Sequence, residues 1–510
     1  MARRPEVSIN RAAVTACVSL ATLMQALDTT IANVALPHIQ GSVSASPDQI
    51  GWVLTSYITA AAIMTPPTGY LASRFGLKRL FLIAVAGFTV ASMLCGIAQS
   101  LVEIVLFRVL QGAFGAALVP LSQSVLIGIY PKERQGSAMA LFGLGVMAGP
   151  ILGPVLGGWL TDNYSWRWVF YINLPVGILA FLGMSLFLPD SRPNAKEKLD
   201  WFGFGALSVA IGAFQIMLDR GEQNDWFGSG EIWLEAIVAA AAFYLFLVHT
   251  FTSAKPFVRL SLFRDRNFVA GTLFIAIIGL TYYASLALQP PYLQGLMDYP
   301  VVTSGLVMGP RGIGTMAAML IVGRLTGQID TRLLLGAGLG LTAWAFYAMT
   351  GWTPAVSQTE VIVVGMVQGV GLGFLFPPLS AIALATLPPE HRTEGAGLYN
   401  LSRNIGSSIG ISVVNALLTT NTQVNHADIT AHVTAVNRAF EAPAIAHFLN
   451  PVTAAGRAAL DALITQQAQI IAYIDDYKLL LIMTLAAIPL LAIFKKPPGR
   501  DSTGHTVIVD

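Results

Sequence analysis

Apolar residues run through this chain in long blocks, not in the short alternations of a soluble fold. Blocks of roughly 17 residues or more recur at 12–36, 50–72, 80–99, 103–128, 137–160, 167–188, 202–218, 231–252, 268–290, 302–325, 333–352, 358–385, 396–420 and 477–494, most of them bounded by charges, Gly or Pro. A helix of that length crosses the hydrocarbon of a bilayer, because each residue adds about 1.5 Å. The pattern therefore predicts an all-α membrane protein with fourteen transmembrane helices.

Composition agrees with this. Of 510 residues, 55% are hydrophobic and only 11% charged, against about 25% charged in soluble domains. The first block is longer than the apolar core of a signal peptide and has no clean cleavage site after it, so it is expected to stay as a helix. Cys17 and Cys95 both lie inside apolar blocks, which points away from a disulfide framework or a metal cluster.

Charge placement orients the chain. With a cytoplasmic N-terminus, 21 of the 29 basic residues fall on cytoplasmic segments, 5 fall outside (Arg167, Arg220, Arg438, Arg457 and Lys478), and Arg108, Arg311 and Arg403 lie within spans. That asymmetry satisfies the positive-inside rule and places both termini in the cytoplasm.

The chain also repeats itself. At an offset near 257 residues, Gln111–Gly112 meets Gln368–Gly369, Pro120 meets Pro377, Pro131 meets Pro388 and Glu133 meets Glu390. Two six-helix halves are expected, residues 1–190 and 266–500, flanking an insertion of two helices at 191–265, with a cytoplasmic tail at 501–510. Parallel repeats of this kind put a substrate path near the bilayer midplane, between halves that move against each other.

Charges inside the spans are the candidate chemistry. On a helical wheel Ala21, Gln25, Asp28, Ala32 and Ala35 form one small polar face, opposite Leu20, Leu23, Leu27, Ile31 and Val34. Asp28 then faces protein or water. Burial disfavours the charged form of a carboxylate, so an acid there either loads and releases a proton or serves as a fixed contact between helices. Arg108 shares a face with Gln111, Gly112 and Gly115, and needs an anionic or carbonyl partner, for which Asp28 and Glu103 are both candidates. That pairing is either static or part of coupling.

Gly145, Gly149, Gly153 and Gly157 recur every fourth residue with Pro150 and Pro154 among them, a close-packing stripe whose prolines bend or weaken the helix. The short inner loop 69–79 carries Gly69, Arg74, Gly76 and Arg79, as a topology anchor or as a latch at helix ends. Arg311 and Arg403 are expected in structural or gating roles, since guanidinium does not deprotonate. Gln289, Tyr292, Asn400 and Asn415, with Tyr282 and Tyr283, either line a cavity or bond helices together. Segment 421–475 reads as the one long outer loop. Within it Leu460, Leu463, Ile464, Ile470, Ile471 and Ile474 suggest an amphipathic helix that leads into the last span and rests on the membrane, caps the outer mouth or touches a partner.

The stretches "LDTTIANVALP", "GYLASRFGLKR", "RVLQGAFGAALVPLSQS" and "GPILGPVLGGWLTDNYSWRWVFYINLPVG" resemble the signature motifs of the major facilitator superfamily, and in particular its fourteen-helix drug:proton antiporters of the EmrB-like type. The resemblance covers essentially the whole chain. It implies a major facilitator fold and proton-driven export of hydrophobic or amphipathic drugs across a bacterial inner membrane. Asp28 and Arg108 would serve in proton coupling, Gly69, Arg74, Gly76, Arg79, Gly149, Pro150, Gly153 and Pro154 would form the conformational motifs, and Gln25, Gln111, Gln289, Tyr292 and Asn400 are the expected cavity residues. It also implies an EmrA-like periplasmic adaptor and a TolC-like outer-membrane channel as partners. Where the family's inner loop carries an acid, this chain has Ser73, which leaves a charge latch there without its acid.

Other classes fit less well. The 7 histidines lie mostly singly in loops, no clustered nucleophile, base and metal ligands suggest an enzyme, and neither a cofactor nor a nucleic-acid partner is expected beside the proton gradient. Export of an endogenous siderophore, lipid or fatty acid is the second reading.

Overall fold

The computed structural model describes residues 10–131, 134–190, 199–326, 328–433, 449 and 453–494, with backbone alone at 47–48, 150–151, 154 and 301–302. The expected tail 501–510, most of 434–452 and the side chains of Pro150 and Pro154 lie outside the described residues.

The helices, in chain order, are α1 (Arg11–Val43), α2 (Trp52–Met64), α3 (Thr68–Phe75), α4 (Leu77–Ile97), α5 (Leu101–Gly115), α6 (Leu118–Ile129), α7 (Gln135–Asn163), α8 (Asn173–Phe187), α9 (Trp201–Arg220), α10 (Gly230–Thr252), α11 (Arg266–Pro291), α12 (Val301–Leu325), α13 (Thr331–Met349), α14 (Gln358–Ala385), α15 (Arg392–His432) and α16 (Ala454–Ala486). Among the described residues there is no strand, only an isolated bridge between Thr326 and Ile329. Side-chain oxygens start many of the helices. Asn10, Ser100, Asp200, Ser229, Asp265, Asp330, Ser357 and Thr453 each accept from a backbone N–H of the first turn, satisfying donors that have no partner within the helix. Gly76, at φ 86°, supplies the left-handed turn between α3 and α4.

Eleven helical stretches are long and apolar enough to cross a membrane. The other three expected segments are helical too: 50–72 is divided between α2 and α3 at Thr65–Pro67, 137–160 lies within α7, and 396–420 lies within α15.

Segment 421–475 contains the helix that its apolar spacing suggests, and it differs from a long loop in being helical at both ends. α15 continues to His432 and α16 begins at Ala454, so the amphipathic stretch and the final span form one helix. The reason is backbone chemistry: neither 411–432 nor 457–486 contains Gly or Pro, so polar side chains decorate the helices without ending them.

Packing divides the molecule by height. One hydrophobic core runs across both halves, from Phe81, Leu121 and Met139 to Met319, Leu379 and Leu401. At the other end the cores are separate. Ile31, Ile39 and Trp166 belong to one, and Leu288, Phe346 and Trp352 to another. The hydrogen bonds described between the halves follow the shared core. Asn400 donates to Gln123 at 2.6 Å, the Ser124 and Thr393 hydroxyls meet at 2.7 Å, and Ser137 donates to the Gly323 carbonyl at 2.7 Å. The halves are thus joined at the end that holds the turn between α3 and α4.

Of the two inserted helices, α9 bridges the halves. Asp219 accepts from Thr55 of α2, Gln215 accepts from Ser408 at 2.9 Å, and the Leu218 carbonyl accepts from Ser412 at 2.8 Å.

Candidate functional site

Asp28 lies at the middle of α1, and its side chain is fully buried. α5 brings Arg108 and Gln111 to it from one turn apart, the spacing that puts two side chains on one helix face. The Arg108 Nη1 donates to Asp28 Oδ2 at 2.6 Å and to Gln111 Oε1 at 2.7 Å, while Gln111 Nε2 donates to Asp28 Oδ1 at 2.7 Å. The first residue of α8, Asn173, donates to the same Oδ1 at 3.0 Å and to Ser92 at 2.9 Å. Arg108 is held in turn by the Val53 carbonyl, 3.0 Å from Nε, and by the Tyr57 ring, whose centroid lies 4.2 Å from the guanidinium carbon. A buried charge costs little only when paired and hydrogen-bonded, and both members of this pair are.

This geometry selects between the two partners open to Arg108. Glu103 is exposed and accepts from the Gln99 N–H at 2.8 Å, whereas Asp28 carries the ion pair. Asn173 went unrecognised in the sequence. Its signal was a polar side chain at the head of the apolar block 167–188.

Small residues let the helices approach. A Cβ at Gly149 would overlap Ala26, one at Gly153 would overlap Thr30, and one at Gly112 would overlap the Tyr57 carbonyl. The glycine stripe of α7 thus packs along the part of α1 that carries Asp28, and Thr30 Oγ1 donates to the Gly149 carbonyl at 3.0 Å. α7 runs unbroken through positions 150 and 154.

The five expected cavity residues occupy different places. Gln111 belongs to the Asp28 shell, and half-buried Gln25 donates to the Tyr57 hydroxyl at 3.4 Å. Gln289 accepts from Arg311 at 3.0 Å, Tyr292 is buried against Trp352, and Asn400 spans the halves to Gln123. A large apolar cleft of about 970 Å³ lies elsewhere, lined by Phe214, Phe243, Phe246, Leu401 and Ile405 among others, between the inserted helices and α15.

The segment 69–79, expected as a loop, is helical on both sides of Gly76: Gly69 of α3 sits against Glu394, Arg74 of α3 is half-buried and Arg79 of α4 is exposed. The acid beside α3 therefore comes from the other half: Glu394 accepts from the Arg259 N–H at 3.0 Å and ion-pairs with its guanidinium at 3.4 Å.

The repeat is visible at the site. Gln368 donates to Ser285 at 3.1 Å, and these two stand at the same offset from Gln111 and Asp28. The C-terminal half has a serine where the N-terminal half has its carboxylate.

The family model of the Major Facilitator Superfamily matches residues 18–411. The chain is 39% identical over 427 residues to the multidrug export protein EmrB of Haemophilus influenzae, covering 83% of each. It is 36% identical over 495 residues to the fatty acid resistance protein FarB of Neisseria gonorrhoeae, covering 96% of this chain and 97% of that one. In fold it is similar to the crystal structure of the human organic anion transporter TETRAN, with TM-score 0.63 and 14% identity, covering 94% of this chain and 99% of that one.

Proposed function

Because the chain belongs to the major facilitator superfamily and, within it, to the EmrB-like efflux pumps, we propose that it exports hydrophobic and amphipathic drugs by proton-driven alternating access. The observation that carries this reading is the Asp28–Arg108 pair, buried from solvent at the middle of α1. Protonation of Asp28 from the outer side removes its charge and weakens its hold on Arg108. The guanidinium keeps Gln111 and the Val53 carbonyl as acceptors, so it is not left bare. Drug leaves outward, the halves rock, and Asp28 gives its proton to the inner side before drug binds again. One proton moved through 100 mV supplies about 2.3 kcal/mol, enough for roughly fiftyfold accumulation of a neutral substrate.

In this reading the chain crosses the inner membrane fourteen times with both termini cytoplasmic, as halves 1–190 and 266–500 around the 191–265 insertion. Gln25, Gln111, Gln289, Tyr292 and Asn400 meet the drug as the halves part, and Gly69, Arg74, Gly76, Arg79, Gly149, Pro150, Gly153 and Pro154 serve the motion. The ends of α15 and α16 meet a periplasmic adaptor that leads to an outer-membrane channel. A second reading, export of a fatty acid or another endogenous lipid, is favoured by the apolar cleft beside α10 and by the FarB relative.

The test uses inside-acid proteoliposomes of the purified protein. Ethidium should collapse the pH gradient with wild type and not with Asp28→Asn. Equal collapse with both would make Asp28 structural and route the proton elsewhere. If a fatty acid collapses the gradient and no drug does, the second reading replaces the first.

A further inference from the structure

A second buried carboxylate lies in the C-terminal half. Asp476, on α16, is 1% exposed, and neither of its oxygens has a hydrogen-bond partner. It shares a helix face with Tyr473, Tyr477 and Leu480, all buried. These tyrosines join an aromatic cluster in which the Tyr292 and Tyr473 centroids are 5.2 Å apart, Tyr292 and Trp352 5.7 Å, and Trp352 and Tyr477 5.9 Å. The Tyr292 and Tyr477 hydroxyls and the Trp352 Nε1 are likewise buried without partners.

The surrounding charges do not neutralise Asp476. On its own helix stand Tyr473, Tyr477 and Asp475, the last paired with Lys478 at 3.1 Å. Arg311 stands on α12, its guanidinium carbon 4.6 Å from the Tyr282 ring centroid, and Glu360 stands in the first turn of α14. Of the helices packed on α16, α11 carries Tyr282 and Tyr283, with Arg311 over the Tyr282 ring. α13 carries Arg332, bonded to the Phe494 carbonyl, and α15 carries Arg403, donating to Asn404, and the His426 that meets Asp461.

An ionised carboxylate without hydrogen bonds in such a site costs several kcal/mol, and the way to remove that cost without moving the fold is to bind a proton. We infer that Asp476 is a second proton-binding site, loaded while the aromatic cluster is closed and unloaded when the cluster opens to water. On unloading, the carboxyl O–H bond breaks and the proton passes to water. Its place in the transport cycle rests on the reading above, but its proton binding does not.

The experiment is infrared difference spectroscopy of the full-length protein in lipid nanodiscs, between acidic and alkaline pH. Wild type should lose a protonated-carboxyl band on alkalinisation. The band should be absent in Asp476→Asn, shifted in Asp476→Glu and retained in Asp28→Asn. If Asp476→Asn does not fold, the shift in Asp476→Glu decides alone. A band unchanged in both Asp476 variants overturns the inference, and so does a band that sodium ions erase at constant acidic pH, which would make the site one for an alkali cation. Failure of drug-driven exchange with an intact Asp476 band would fault the antiporter reading and leave this inference standing.

Discussion

Among the described residues the two halves each bury one carboxylate, and they treat it in opposite ways. Asp28 is met by Arg108, Gln111 and Asn173, so its two oxygens accept three side-chain bonds. Asp476 is buried as deeply and has none. Where the repeat would place a counterpart of Asp28, the C-terminal half has Ser285, and its acid comes from the last helix instead. The contrast teaches that burial alone does not define a site: a paired acid is anchored to the fold, while an orphaned one is cheap to remove and costly to ionise.

Substitutions should separate the two in order of effect. Asp28→Ala leaves Arg108 buried without its anion, and thermal unfolding in detergent should register a loss of about 3–5 kcal/mol together with abolished drug resistance. Should Asp28→Ala unfold no earlier than wild type, the pair is not the anchor described here. Gly153→Val drives a branched side chain into Thr30 on α1, and should cost about 1–3 kcal/mol by the same assay. Asn173→Leu removes one donor from Asp28 and one from Ser92, for about 1–3 kcal/mol and weaker but surviving resistance. Asp476→Leu, in contrast, should leave the unfolding temperature unchanged or raised, because no partner is stranded; a large drop would mean that Asp476 is bonded in the folded state. Glu103→Gln should change neither stability nor resistance, and a loss of transport there would restore Glu103 as a partner of Arg108.

Much of this was legible in the sequence, for reasons that also explain what was not. The helices announce themselves because apolar length is a direct demand of the bilayer. Asp28 was legible as well, since a charge among small residues on one helix face has few other uses. Its pairing with Arg108 was not, because the choice between Asp28 and Glu103 depends on how α1 and α5 dock, and no local rule encodes that. Asn173 joins the site through the same docking. In 421–475 the helix leading into the last span is legible from the spacing of Leu460, Leu463, Ile464, Ile470, Ile471 and Ile474, whereas the extension of α15 to His432 is not, because there only the lack of Gly and Pro in 411–432 signals continuity. Asp476 falls between segment 421–475 and the final apolar block, and only the packing of its neighbours Tyr473 and Tyr477 reveals that it is buried.

The most direct measurement is proton release on drug binding, followed with a pH-sensitive dye in weakly buffered detergent solution without any gradient. If Asp28 exchanges its proton for drug, adding ethidium to the wild-type protein should release protons, and Asp28→Asn, once its folding is checked by circular dichroism, should release none at saturating drug. Release from Asp28→Asn equal to that of wild type would contradict the account and leave the Asp28–Arg108 pair a structural clamp.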